Sequence, residues 1–345
     1  MPARAARALL AILALGGIQT GVLSPTVAAA ASSAVVIMYH RFGENQFAAT
    51  NVTVEQLDAH IAELTSGKYK VMALADIVGR LNAGETLPER AVAITIDDAY
   101  RSVYTLAWPK FKAAGLPFTV FVSTAHLDSP SPAHMTWDHV REMRAAGVGI
   151  GHHTVSHLHM VGVEAARIDE EISAANARFD KELGYRPGLF AYPYGEAGTR
   201  EMRMIEKAGF VAAFGQHSGV IGSTESRFYL PRFAMNENYG DLDRLRLALN
   251  AMALPVTDVT PTDHVVKEGA NPPAIGFTVS REIGGLEQLA CFFSHAGRAR
   301  LERLGPHRIE VRTDQAFPRG RTRLNCTMPG PERRWRWYGR QFFRP

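Results

Sequence analysis

Asp97 and Asp98 stand side by side at the end of an apolar run, Ala91-Val92-Ala93-Ile94-Thr95-Ile96. His153 and His157 stand four residues apart in Gly149-Ile150-Gly151-His152-His153-Thr154-Val155-Ser156-His157, again just after a short apolar run. A carboxylate with two imidazoles is a donor set for a divalent cation that keeps an open position for water. An ion held there acidifies that water, and a second carboxylate alongside can take the proton. Asp98 or Asp97 can supply the ligand, leaving the other acid as base. The four-residue histidine spacing predicts a helical turn with both imidazoles on one face. Each pair also has a plainer reading: adjacent acids cap the helix that follows, and His-x-x-x-His alone is a weak motif. Their occurrence together, at two strand ends of one fold, is what favours chemistry.

The elements that must position these residues are legible in the patterning. Residues 34–38 form an apolar run that ends in Tyr39-His40, and 91–96 form one that ends in the two acids. Neither alternates with polar residues, which marks strands of a parallel sheet buried on both faces. Further strands are expected at 69–72, 118–122, at 149–152 ahead of the histidines, and at 189–195, 210–214 and 229–233. Helices are expected at 53–66 with Thr53 as cap, and at 74–81, 100–114, 137–146, 164–183, 200–208 and 242–252. Glycines at 115, 147, 184 and 209 close four of them. Strand, helix and glycine stop recur about seven times, the alternation of a parallel βα architecture, and this many units favour closure into a barrel over an open sheet. In α/β folds ligands gather at the C-terminal ends of the strands, where both candidate pairs lie. There is no glycine-rich phosphate loop of the dinucleotide or Walker type, and no nucleic-acid partner is expected.

The composition is that of a globular protein with ample core material: 345 residues, 46% hydrophobic, 21% charged, net charge +4. Arg4 and Arg7 followed by an apolar 9–18 and small residues over 26–31 read as a secretory signal peptide, 1–31. No later stretch is long and apolar enough to span a bilayer. The mature chain is therefore expected to be exported, to a periplasm or beyond the cell. Cys291 and Cys326 are the only cysteines, and in an oxidising compartment the pair is expected to form a disulfide. Prolines at 255, 261, 272 and 273 mark a linker, 255–272, between a catalytic domain over 32–254 and a small β-sandwich-like domain over 273–345. The last stretch mixes arginines with Trp335, Trp337, Tyr338, Phe342 and Phe343. It is either a surface for an anionic glycan or the cell envelope, or a basic, partly packed β-edge.

Three motifs, in the right order and spacing, resemble one family. Thr95-Ile96-Asp97-Asp98-Ala99 resembles the Thr-Phe-Asp-Asp-Gly motif of the NodB-type polysaccharide deacetylases, carbohydrate esterase family 4. His153-Thr154-Val155-Ser156-His157 resembles that family's His-Ser/Thr-x-x-His motif, and Phe190-Ala191-Tyr192-Pro193-Tyr194-Gly195 its Phe-Arg-x-Pro-Tyr-Gly stretch. The resemblance covers about 34–253, and the Tyr-His and Tyr-Pro-Tyr-Gly variants are similar to those of exopolysaccharide deacetylases. It implies an α/β fold, a distorted (β/α)7-type barrel (NodB fold), here followed by a small all-β domain. It also implies hydrolysis of N-acetyl groups on an N-acetylglucosamine-containing glycan to acetate and a free amine. Asp97 would be the general base, and Asp98, His153 and His157 would hold a divalent metal, by the family's habit Zn2+. The backbone N–H of Tyr194 would help bind the oxyanion.

The chain departs from the family pattern in three places. Ala99 replaces a glycine. Ala191 replaces the arginine that orients the base; Arg232 either reaches in instead or forms a surface salt bridge. No late Leu-x-His motif supplies the general acid, and His217, which follows a strand, is the expected substitute. Two other functions stay open: a catalytically weak or inactive glycan-binding protein on the same barrel, and an esterase for O-acetyl groups, whose better leaving group needs less acid help.

Overall fold

The computed structural model describes Met1 and residues 33–129, 131–222 and 226–345. The expected signal segment therefore lies outside the described residues, apart from Met1. Among the described residues no helix is long and apolar enough to cross a membrane.

Eight parallel strands build the first sheet: β1 (Ala34–Tyr39), β2 (Lys70–Val71), β3 (Ala91–Asp97), β4 (Thr119–Val122), β5 (Gly149–His152), β6 (Leu189–Ala191), β7 (Ala212–Phe214) and β8 (Phe233–Ala234). Their order is β8-β1-β3-β4-β5-β6-β7, with β2 also paired to β3. The chain around β8 pairs at both margins. Leu230 bridges to Phe214 of β7, and Phe233 pairs with Ile37 of β1, so the sheet curls into a distorted barrel. All seven residues of β3 are buried. Burying a side chain such as Ile94 or Ile96 stabilises the fold by roughly 1.5–3 kcal/mol, which ties the acid-tipped strand to the centre of the core.

Helices α1 (Val54–Leu64), α2 (Leu74–Asn82), α3 (Trp108–Ala113), α4 (Thr124–Asp128), α5 (Trp137–Ala145), α6 (Ala165–Leu183), α7 (Thr199–Lys207) and α8 (Leu242–Leu249) connect the strands or follow them. Thr53 caps α1 in a reciprocal capping box with Gln56. Gly184 ends α6 at φ 70, a left-handed position that glycine takes without a Cβ clash. The helix expected over 100–114 instead opens with a wide π turn, Val103–Ala107, ahead of α3. Pro109 accounts for this, since it cannot donate the i→i−4 bond that would continue a regular helix.

The rest of the chain is a sandwich. One sheet runs β9-β17-β16-β12-β13: β9 (Met252–Ala253), β12 (Ala290–Phe293), β13 (Gly297–Arg298), β16 (Gly320–Pro329) and β17 (Trp335–Arg344). The other runs β10-β11-β15-β14: β10 (Val256–Thr260), β11 (Ile275–Val279), β14 (Arg300–Leu304) and β15 (Arg308–Arg312). Phe277, Ile309, Leu324, Met328 and Phe342 fill the space between them. Cys291 and Cys326, directly paired across β12 and β16, form a disulfide.

The expected linker is not one. Residues 256–260 are a sheet strand, and Met252, placed at the end of a helix by periodicity, pairs, together with Ala253, with β17. Within the arginine- and aromatic-rich stretch, β17 lies between β9 and β16, while Arg319, Arg321, Arg333 and Trp335 are exposed. Tyr338 and Phe342 sit in the sandwich core, while Arg334 and Arg340 are buried and donate to backbone carbonyls of Asn250 and Pro261.

Candidate active site

Asp97 ends β3 and Asp98 begins the turn beyond it. Asp98 and Ala99 both adopt left-handed backbone, φ 72 and φ 53, which swings the two carboxylates into the mouth of the barrel. A side-chain-bearing residue there costs about 1–2 kcal/mol, which gives a physical reason for a glycine where Ala99 stands.

The histidine pair is positioned differently from expectation. Residues 153–157 form no helical turn; Thr154 and His157 are left-handed, φ 66 and φ 58. The loop is held instead by Glu171 of α6, whose carboxylate accepts from the Val155 and Ser156 N–H groups at 2.9 and 2.8 Å and from the Ser156 hydroxyl at 2.8 Å. The His153 Nδ1 bonds to the Ala191 carbonyl of β6 at 2.7 Å, leaving Nε2 turned to the site.

Asp98, His153 and His157 converge, with one ligand atom from each within 4.8 Å of the others. Asp98 Oδ1 lies 3.4 Å from His153 Nε2 and 3.3 Å from His157 Nε2. Asp98 Oδ1 and His153 Nε2 are buried without a hydrogen-bond partner among the described residues. Buried polar atoms are normally paired, so orphaned donor atoms aimed at one point fit a cation. Burial opposes ionisation of Asp98, but the imidazoles of His153, His40 and His157 around it hold its carboxyl far below the usual range. Burial, with His153 beside it, pushes His157 down to about 4, so it is a neutral ligand near pH 7. His153 is raised despite its burial, because Asp98 and Asp97 favour a positive charge there, which a cation can supply in place of a proton.

Asp97, beside that point, is gripped by Arg232. The guanidinium donates Nη1 to Oδ1 at 2.7 Å and Nη2 to Oδ2 at 2.8 Å, and its Nε donates to the Gly215 carbonyl at 2.9 Å. Both side chains are fully buried. Burial would raise the Asp97 pKa, but Arg232, His153 and His40 outweigh it and hold the group low. Arg232 is thus not a surface salt bridge. It stands on Asp97, supplied by the segment that closes the barrel.

His217 does not join the site. It is buried, packs at a tilt on Tyr229 with ring centroids 4.9 Å apart, and lines a cavity of about 380 Å3 with His264 and Arg340. Burial, then the nearby arginines, push it down to about 3, so near neutrality it holds no proton to give. The imidazole at the site is His40, at the tip of β1, with Nε2 4.0 Å from Asp97 Oδ2. Its signal in the sequence was its place: it follows the strand adjacent to β3, at the same end of the sheet. His152, by contrast, is packed among Phe179, Phe190 and Phe210, a core residue.

Tyr194 lies in the turn after β6, with its ring edge-on to His157 at 4.4 Å and stacked on His159 at 3.6 Å. On the other side of the mouth, the Arg41 guanidinium lies 3.5 Å from the Tyr100 ring centroid, and His134 stacks on Tyr100 at 5.0 Å. Sequence reading missed this rim. Its parts come from three separate segments, and none bears a motif.

A (β/α) barrel with a carboxylate and two imidazoles around one point, and an arginine-held carboxylate alongside, is an arrangement that can serve metal-assisted hydrolysis. Residues 84–213 match the polysaccharide deacetylase family. The chain is 24% identical over 216 residues to the poly-beta-1,6-N-acetyl-D-glucosamine N-deacetylase of Escherichia coli (strain K12), covering 51% of this chain and 32% of that one. It is 22% identical over 233 residues to the protein of the same name in Staphylococcus aureus (strain MSSA476), covering 60% of this chain and 80% of that one. Among solved structures, the Streptococcus pyogenes deacetylase PplD, in complex with acetate, superposes with a TM-score of 0.59 at 19% identity. That match covers 64% of this chain and 99% of that one, and is a likeness of fold.

Proposed function

We propose that this chain is an exported, metal-dependent polysaccharide N-deacetylase that removes acetyl groups from a poly-N-acetylglucosamine glycan. The observation that carries the reading is the convergence of Asp98, His153 and His157 beside the buried Asp97–Arg232 pair. The names of the Escherichia coli and Staphylococcus aureus relatives support the substrate class. Export is supported by Arg4, Arg7 and the apolar residues 9–18, and by a disulfide of the kind that persists in oxidising compartments.

Asp98, His153 and His157 would hold the divalent ion, for which Zn2+, a metal that accepts imidazole and carboxylate donors, is our candidate. When bound, it supplies Lewis-acid polarisation of the amide carbonyl and acidifies a water. Asp97 takes the proton of the attacking water. Arg232 keeps it ionised and fixes its orientation, since a two-pronged bond leaves a carboxylate little rotational freedom. The Tyr194 N–H donates to the carbonyl oxygen as it gains negative charge, a stabilisation that grows in the transition state. An amine leaves only when protonated, and His40, across from the metal ligands and within 4.0 Å of Asp97, is the donor. Tyr194, half-buried at the mouth with His159 on one face of its ring, is the aromatic group placed to meet a sugar ring. With an acid candidate at hand, the glycan-binding alternative loses the argument that favoured it.

The test is acetate release from a poly-N-acetylglucosamine oligomer. Release is expected to stop in excess chelator, return on adding Zn2+, and fall about 10²–10⁴-fold in Asp97→Asn. Full activity in chelator, or an Asp97→Asn protein as active as the wild type, would overturn the mechanism.

A further inference from the structure

The sandwich touches the catalytic loop directly. Gln341 of β17, 1% exposed, donates Nε2 to the Gly195 carbonyl at 2.7 Å and reaches the Tyr194 carbonyl at 3.4 Å. Arg321 of β16 donates Nη1 to the same Tyr194 carbonyl at 3.3 Å. Its Nε also lies 3.7 Å from Glu196, which in turn accepts from His159 at 2.8 Å, the imidazole stacked on the Tyr194 ring. Tyr194 needs such restraint, because it adopts φ 60, ψ 3, a left-handed conformation a tyrosine does not choose. Gly195 follows at φ 67, and a Cβ there would lie 2.4 Å from the Gln216 nitrogen. β17 also lies against the neighbouring loop backbone. Gly339 faces Ser218, where a Cβ would lie 1.7 Å from the carbonyl oxygen, so no other residue permits this contact.

From these contacts we infer that the C-terminal sandwich is a working part of the deacetylase site, with Gln341 and Arg321 as positioning residues that hold Tyr194 in the geometry an oxyanion requires. A peptide N–H is aimed by its neighbours' dihedrals. Two side chains gripping the carbonyls of Tyr194 and Gly195 fix the φ and ψ between them, and so fix the direction of the turn. This rests on the reading of Tyr194 given above. It explains why the chain continues beyond the barrel with strands built so closely onto it.

The experiment uses the full chain as Arg321→Met, Arg321→Lys, Gln341→Met and the double methionine variant, all loaded with Zn2+. Two quantities are read: kcat and KM for acetate release from an N-acetylglucosamine oligomer, and hydrogen exchange of the backbone amides over 192–196. In the double variant kcat is expected to fall about tenfold with KM within about twofold, and exchange to quicken about tenfold, with metal content unchanged. Arg321→Lys keeps a donor and is expected to retain most of the wild-type values. Unchanged exchange, unchanged kcat, or a rise in KM alone would each overturn the proposal. If the wild type releases no acetate, the proposed function fails, while exchange still decides whether the sandwich pins the loop. Should the buried Gln341→Met fail to fold, the exposed Arg321→Met carries the same readouts.

Discussion

Replacing Arg232 by methionine tests how the base is held. The substitution keeps much of the volume but removes both donors to Asp97 and the donor to the Gly215 carbonyl. What remains is a carboxylate with no solvent access, whose nearest surviving side-chain donor is Gln216 Nε2 at 3.5 Å. Breaking a buried pair by deleting one partner costs about 3–5 kcal/mol, because the survivor keeps its desolvation penalty without compensation. Asp97→Asn strands the guanidinium in the same way. The double variant Asp97→Asn/Arg232→Met strands neither charge, so its loss is expected to fall short of the sum of the single losses by about 2 kcal/mol or more. The assay is equilibrium urea unfolding of the four proteins in chelator, which keeps metal binding out of the comparison. Arg232→Lys adds a functional arm: it retains the charge but cannot make the two-pronged contact, so kcat should fall at least about tenfold with less loss of stability. Single losses that simply add, within about 0.5 kcal/mol, would refute the claim that this pair is one unit.

Two further outcomes follow from the histidines. His40→Gln should lower kcat on an N-acetyl substrate about 10²-fold or more, yet affect an activated aryl acetate far less, since that leaving group departs unprotonated; equal losses on both would rule His40 out as leaving-group acid. His217, buried and pushed down to about 3 from an ordinary 6.5, contributes stability that is present above pH 6.5 and lost as pH falls toward 3. Between pH 8 and pH 5 the wild type should therefore lose about 2 kcal/mol more than His217→Phe in urea unfolding, and parallel pH profiles would count against a neutral, buried imidazole.

What the sequence disclosed and what it hid divide along a physical line. The barrel strands were legible because a parallel sheet covered on both faces demands unbroken apolar runs, and β1, β3 and β4 are such runs. The acids and histidines at their ends were legible because position along a strand fixes which end of the barrel a residue occupies. The sandwich strands were harder. β16 reads Gly-Arg-Thr-Arg-Leu-Asn-Cys-Thr-Met-Pro, and only its alternate residues, Thr322, Leu324, Cys326 and Met328, are buried. Its outward arginines give it the composition of a loop.

The placement of two histidines was hidden for one reason. His217 and His40 both follow strands, and composition cannot tell on which side of the backbone an imidazole will lie. That is decided by residues distant in the chain. The His217 carbonyl accepts from the Arg232 N–H at 2.9 Å, and its ring turns onto Tyr229, which itself packs on His264 from the edge of the sandwich. The same segment that turns His217 onto Tyr229 brings Arg232 to Asp97. The histidine that sequence reasoning chose as acid is better understood as part of the footing under the arginine that orients the base.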